Sequence, residues 1–469
     1  MNKSSKNKYL VTISVIGHTN VGKTSLMRTL LRDAEFGEVK NESATTRHVA
    51  AVNILDKHGK VLIGLHDTPG LEDATGVMDF LQDHTDGRAD GVERLQVFLQ
   101  AVASSDPRLS EDFSQEAKVI RSLIAADIAM YVIDAREPVL SKYKDELAVL
   151  ASSGTPVLPV FNFIKGNEEN MATWREMLSR RALHVTHAFD TVAFDFEGEM
   201  ALWQNLATLS MDHQSLITLR HERQETWQDM AEVGTAIIAD FLVNVASFSK
   251  KIEENEDPAP TLSAMQTAVR QSEDIMQSKL LHLYQFYHAH IDDDEVSILG
   301  KEQDLFDGEL LTRYGIRTAG GSVTGMVIGA GIDMATLGAS LGLGTALGGV
   351  LGGLLPNTST IRDKAMGVQT LTIDDATLTL LATRAQHLHH TLRHRGHASL
   401  HAIKSDATDT ALPWQTGKLP NALKKARARP HYSSLEGRYE DNMSLRQELS
   451  DRLSVLLLDH LQTKLANPT

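Results

Sequence analysis

"GHTNVGKT", Gly17 to Thr24, decides how the first half of this chain is read. It meets the spacing G-x-x-x-x-G-K-[ST] at every fixed position. An apolar run, "YLVTISVIG", leads into it, and a helix-forming run, "KTSLMRTLLRD", leads out. Strand, glycine-rich turn and helix form the context in which this spacing binds phosphate. The glycines let backbone N–H groups close around the phosphate oxygens. Lys23 then reaches the β- and γ-phosphates, and the Thr24 hydroxyl binds Mg²⁺. The set expected to contact nucleotide here is Gly17, Asn20, Val21, Gly22, Lys23, Thr24 and Ser25.

Two further motifs lie downstream. "HDTPG", residues 66–70, closes an apolar strand. Asp67 is the expected acid of the Mg²⁺ site, and Gly70 offers its N–H to a γ-phosphate. Between the two motifs lies "SATTRHVAAV". A threonine there would bind Mg²⁺ and sense the γ-phosphate, and Thr45 and Thr46 both qualify. The position after Gly70, where some switch enzymes keep a water-orienting Gln, is Leu71, which cannot hold a water.

Around these motifs, residues 9–212 alternate strands and helices, the pattern of a parallel sheet covered on both faces. "HVAAVNILDKHGKVLIGLHDTPG" reads as a hairpin turning at His58-Gly59. "IAMYVIDA" (128–135) and "PVLPVFNF" (156–163) are further strands, and "HVTHAFDTVAF" (184–194) the last. A helical insertion occupies about 72–127. From residue 213 to 469 the pattern is all helix. One helix spans "SLITLRHERQETWQDMAEVGTAIIADFLVNVASFSKKI", a second follows "EDPAP", a third runs from about 372 to 403, and the last from about 443 to 465.

The fifth strand ends in Asn162-Phe163-Ile164-Lys165. A guanine reader carries Asn-Lys-x-Asp here, with the Asp accepting from guanine N1 and N2. Asn162 can still touch the base or steady the phosphate loop. Lys165 has only donors, although its stem can stack on the base. A backbone carbonyl, Asn167, Glu168 or Glu169 are the candidates to replace the missing acceptor. The loop that usually follows the last strand, near Val192-Ala193-Phe194, shows no clear base-contacting pattern.

"GHTNVGKTSL", "ATTRHV" and "DTPG" together resemble the Era/TrmE-like branch of bacterial GTPases, within the TRAFAC class. The resemblance covers about residues 9–200. It implies GTP and GDP as ligands with Mg²⁺, and it favours Thr46 as the second Mg²⁺ ligand. On it, Lys23, Thr46, Asp67, Gly70 and Asn20 are the expected catalytic set. Asn20 stands where several such enzymes hold a K⁺ ion, whose charge would stabilise the transferring phosphoryl group. Slow, potassium-activated hydrolysis and a homodimer of G domains are the matching expectations. The helical remainder resembles, more loosely, a C-terminal domain of unknown function that accompanies such G domains.

Residues 320–355, "GGSVTGMVIGAGIDMATLGASLGLGTALGGVLGGLL", hold 12 glycines and one charge, Asp333. Small residues recur every four, at Gly321, Gly325 and Gly329 and at Gly344, Gly348 and Gly352, a spacing that lets helices approach closely. The block reads as two short helices joined near Asp333. Its expected occupant is a membrane lipid or membrane protein, and burial within the protein is the alternative.

Bulk composition bounds the rest. The chain has 469 residues, 46 Lys and Arg against 61 Asp and Glu, and a net charge of −15. That balance disfavours RNA as a partner. There is no cysteine, hence no disulfide and no thiolate metal site. A cytoplasmic protein, with a peripheral place on the inner membrane as the variant, is the expectation. His390, His394, His397 and His401 recur on one helix face, a weak metal pattern. Lys424, Lys425, Arg427 and Arg429 form a local basic stretch that could meet anionic lipid.

Overall fold

The computed structural model describes residues 11–33, 50–104, 107–191, 194–211, 213–253, 255–286, 326–329, 368–395, 411–415, 417–435 and 444–465. Two compact units emerge. One comprises Met1–Trp227 with His394–Leu400, the other Gln228–Arg393 with His401–Thr469.

The first unit is built on a six-stranded sheet. Its strands are β1 (Val11–Ile16), β2 (Ala50–Leu55), β3 (Val61–Asp67), β4 (Ile128–Asp134), β5 (Val157–Asn162) and β6 (His187–Ala188). Their order is β2-β3-β1-β4-β5-β6. All neighbours are parallel except β2, which joins β3 in an antiparallel hairpin. The hairpin turns at His58-Gly59, where Asp56 Oδ1 accepts the N–H groups of His58 and Lys60, each at 2.8 Å.

The strands are apolar on both faces because helices cover both. Ala129, Tyr131 and Ile133 of β4 face one layer and Ile128, Met130 and Val132 the other. The first layer holds α2 (Ala74–His84), α3 (Gly91–Ala103), α5 (Ser114–Ala125), α6 (Ser141–Ser152) and α7 (Glu168–Ser179), with the short α4 (Pro107–Asp112) between α3 and α5. The opposite layer holds α1 (Lys23–Leu31), α8 (Phe196–Leu209) and the first turns of α9 (Gln214–Ser247), through Leu216 and Leu219. The expected last strand shrinks to two residues; the sheet pairing ends there and Phe189, Phe194 and Trp203 fill a core instead.

The second unit is mainly helical, with α10 (Pro258–Leu283), α11 (Asp375–Arg393), α12 (Asn421–Arg427) and α13 (Ser444–His460). It also contains a small antiparallel sheet, β7 (Ser249–Glu253), β9 (Val368–Ile373) and β8 (Met326–Gly329), with β9 in the middle. This departs from the sequence expectation in three places. "SKKIE" leaves the long helix and becomes β7. "VQTLTI" forms β9 before the helix expected from 372. Within the glycine-rich block, the described residues Met326–Gly329 form a strand, not a helix. In β8 and β9 the β-branched Val327, Ile328, Val368, Thr370, Thr372 and Ile373 favour the pleated backbone. The rest of 320–355, including Asp333, lies outside the described residues.

Candidate functional site

Strand register brings the three motifs together. Val15 of β1 lies beside Asp67 of β3, Ile16 beside Tyr131 of β4, and Asp134 beside Asn162. The phosphate loop, the Asp67–Gly70 turn and the Asn162 loop therefore all leave the sheet at the carboxyl ends of its strands, where ligands bind in open α/β sheets.

The loop backbone is tightly determined. Asn20 and Gly22 both have positive φ, 65° and 91°. A Cβ on Gly22 would lie 2.3 Å from Asn162 Nδ2, so only glycine fits. The Asp67–Gly70 turn is locked to the loop in the same way, since a Cβ on Gly70 would meet Thr19 Oγ1 at 2.1 Å. Leu71 N–H donates to Gly17 O at 3.3 Å, and the Leu71 side chain is buried in the core. Val21 is buried, Ser25 O accepts Thr29 Oγ1 at 3.1 Å, and Asn20 is exposed.

Lys23 opens α1 and is buried. Its Nζ donates to Gly17 O at 3.1 Å and His18 O at 2.8 Å. Burial lowers its pKa to about 8, against the opposing pull of Asp67, Glu146 and Glu72. Thr24 Oγ1 donates to Asp67 Oδ2 at 2.7 Å. Burial raises the Asp67 pKa, with Thr24 and Lys23 opposing. The other Asp67 oxygen, Oδ1, is buried without a hydrogen-bond partner. A buried carboxylate with one unsatisfied oxygen beside a hydroxyl is a hard-oxygen donor pair, and it fits Mg²⁺. Thr45 and Thr46 lie outside the described residues.

Sequence reasoning missed the layer beneath the loop. His18 Nδ1 lies 2.9 Å from Glu146 Oε1 and 3.2 Å from Leu71 O, while His18 Nε2 accepts from Lys142 Nζ at 3.0 Å. Tyr131 donates to Glu146 Oε2 at 2.8 Å. This arrangement assigns the proton to Nδ1. Glu146 lies 128 residues from His18, so no local pattern announces the pair.

Asn162 is spent on architecture. Its Nδ2 donates to Val21 O at 3.1 Å, and its Oδ1 accepts from Phe163 N at 2.9 Å and from Thr191 N and Oγ1, both at 3.2 Å. It ties the phosphate loop to β5 and to the segment after β6. Phe163 has φ 55°, and the Arg136 guanidinium carbon sits 4.0 Å from its ring centroid. Lys165 is exposed, as are Glu168 and Glu169 on the first turn of α7. Asn167 Nδ2 donates to Phe163 O at 2.9 Å and Lys165 O at 3.1 Å. Val192 and Ala193 lie outside the described residues.

Residues 175–455 match the family model described as "Domain of unknown function (DUF3482)", well over half the chain. The chain belongs to the DUF3482 family. Residues 12–163 match the model described as "50S ribosome-binding GTPase". The DUF3482 protein thus carries a P-loop GTPase domain at residues 12–163. A search of curated proteins finds no match. Among solved structures it is similar to an Era variant from Aquifex aeolicus bound to GDP.AlF4-, at 19% identity over 39% of this chain and 51% of that one, TM-score 0.27. An Era structure with MgGDPNP and a 16S ribosomal RNA segment gives 18% identity, the same coverages and a TM-score of 0.28. The G domain of the T. maritima FeoB iron transporter gives 22% identity over 39% of this chain and 87% of that one, TM-score 0.21. The chain spans about half the length of the Era chains it matches.

Beyond the G domain of the DUF3482 protein, the other sequence signals fall apart. His390 and His394 are placed on or just after α11, while His397 and His401 lie outside the described residues. No group of three or more potential metal ligands occurs among the described residues. Arg427 is not free for lipid: it pairs with Asp375 at 2.6 Å and donates to Ile373 O at 2.9 Å. Arg429 donates to Lys425 O at 2.9 Å, and Lys424 and Lys425 are exposed. Among the described residues α9 alone is long and apolar enough to cross a membrane, and 67% of its apolar 18-residue stretch is buried in the protein.

Proposed function

We propose that this DUF3482 protein is a GTP-binding and GTP-hydrolysing switch of the Era/TrmE-like kind, whose helical half engages a membrane or a partner protein. The observation that carries the reading is the Lys23–Thr24–Asp67 cluster, with the partnerless Asp67 Oδ1 beside the Thr24 hydroxyl. Mg²⁺, when bound, supplies positive charge across the phosphates. Thr24 and Asp67 would hold it, with Thr46 as the further ligand. Lys23 exchanges its two loop carbonyls for phosphate oxygens. The backbone N–H groups of Gly17–Thr24 and of Gly70 cradle the phosphates. Buried Leu71 leaves orientation of the attacking water to other groups. Asn20, exposed on the loop, is the proposed K⁺ ligand, and a homodimer of G domains would accompany K⁺ binding.

The test is hydrolysis by the full chain in potassium and in sodium. Lys23→Ala should abolish turnover, and potassium should accelerate the wild type. Undiminished hydrolysis by Lys23→Ala would sink the reading. For the helical half, flotation with anionic liposomes that survives deletion of 320–355 would refute insertion through the glycine-rich block. The description of the family model matched by residues 12–163 supports a second reading, a ribosome-associated role. Co-sedimentation with ribosomes at moderate salt tests it.

A further inference from the structure

The loop after β5 holds its own shape with the groups that a guanine reader would aim at the base. Asn162 uses both ends of its amide on Val21, Phe163 and Thr191. Asn167 donates through its side chain to the carbonyls of Phe163 and Lys165 and through its backbone N–H to that of Ile164. The Asp134 carboxylate at the end of β4 is held by Arg136, through Nε at 2.9 and 3.2 Å and Nη2 at 2.7 Å. Beside the exposed carboxylates of Glu168 and Glu169 on the first turn of α7, the loop itself presents an aromatic ring and an ammonium. Phe163 is backed by Arg136 and lies against the phosphate loop, 3.3 Å from where a Gly22 Cβ would stand. Lys165 is exposed two residues on.

The chemistry of the two purines then decides. Guanine presents two donors, N1–H and N2–H, on the edge that an aspartate reads. Adenine presents an acceptor, N1, on that edge. A lysine carries three donors and no acceptor. It cannot accept from guanine N1–H and N2–H as an aspartate does, it can donate to adenine N1 as readily as to guanine O6, and an aromatic face stacks on either.

Resting on the nucleotide-binding reading above, we propose that this site accepts adenine nucleotides about as well as guanine nucleotides. Phe163 is the stacking surface and Lys165 the donor toward the base edge. Losing a charged acceptor for guanine removes roughly 10- to 100-fold of preference, the worth of one or two charge-assisted hydrogen bonds.

The experiment is calorimetric titration of the full chain with Mg²⁺ and unlabelled GTP, GDP, ATP and ADP. It is repeated with Lys165→Asp and with Phe163→Lys/Lys165→Asp, which restores Asn-Lys-x-Asp. Wild type should bind ATP within roughly threefold of GTP or tighter, and each variant should move the ratio toward GTP by about tenfold or more. A wild-type preference for GTP near 100-fold overturns the proposal and leaves the switch reading intact. So does an unchanged ratio in both variants when their melting temperatures match wild type. Binding of no nucleotide by wild type overturns both.

Discussion

Lys23 is a buried cation whose pKa lies at about 8, below the ordinary 10.5, because burial penalises its charge. Phosphate oxygens would favour the charged form, so nucleotide binding at high pH must restore a proton. Affinity should be level up to about pH 8 and fall above it by as much as tenfold per pH unit. Titrations between pH 6.5 and 9.5 check this, with a flatter profile expected for Lys23→Arg. The stability sign follows from the same shift. Between about 8 and 10.5 the unfolded chain keeps the proton that the folded chain has lost, so this group adds stability as pH rises through that window. Below it the buried charge costs stability, and Lys23→Met should raise nucleotide-free stability at pH 7 by roughly 1–3 kcal/mol. Asn162 works in the opposite direction. It is 1% exposed and satisfies groups on three segments. Asn162→Ala should cost about 2–4 kcal/mol in urea unfolding, because it leaves buried partners unpaired. Gly17–Thr24 and Asp67 were legible because each motif is contiguous. The architectural use of Asn162 was legible only as one of two alternatives, since its partners Val21 and Thr191 are 141 and 29 residues away.

At the scale of elements, the sheet was readable because buried parallel strands are unbroken apolar runs. "IAMYVID" is buried at every position. The small sheet of the second unit was not readable, because Ser249–Glu253 continues the amphipathic run of α9 and changes character only through its pairing with β9. The join between α1, α8 and α9 was equally hidden. Glu199 of α8 is fully buried and accepts from Trp203 Nε1 at 3.1 Å. Its other contacts are Arg32 Nη2 at 3.3 Å, just past α1, and Arg223 Nε at 3.8 Å on α9. Arg223 also donates to Leu30 O at 3.0 Å, and Trp227 stacks on Phe196 with centroids 4.6 Å apart. Burial lowers the Arg223 pKa to about 10, with Glu199 opposing. Removing the buried carboxylate between the Arg32 and Arg223 guanidinium groups should be severe. Glu199→Ala is expected to lose about 3–5 kcal/mol, measured by urea unfolding, with Glu199→Gln losing less.

At the scale of the whole molecule, the change to helix at residue 213 is visible in sequence, yet the first compact unit runs on to Trp227. The reason is physical: an amphipathic helix shows that it has an apolar face, not which core the face joins. Leu216 and Leu219 join the core of the sheet. The second unit has its own buried ion pair, Arg384 Nε to Glu273 Oε1 at 3.2 Å, with side chains 6% and 5% exposed. Burial pushes the Glu273 pKa up, and Arg384 opposes. Units with separate cores tend to unfold separately. Scanning calorimetry should therefore resolve two transitions. GTP with Mg²⁺ should raise one of them, and Lys23→Ala should erase that rise. Glu273→Ala strips Arg384 of its carboxylate at a cost of about 3–5 kcal/mol, so it should lower the other transition by roughly 10 °C. Nucleotide affinity should stay unchanged in that variant. A single transition moved by both nucleotide and Glu273→Ala would mean that the two cores melt as one.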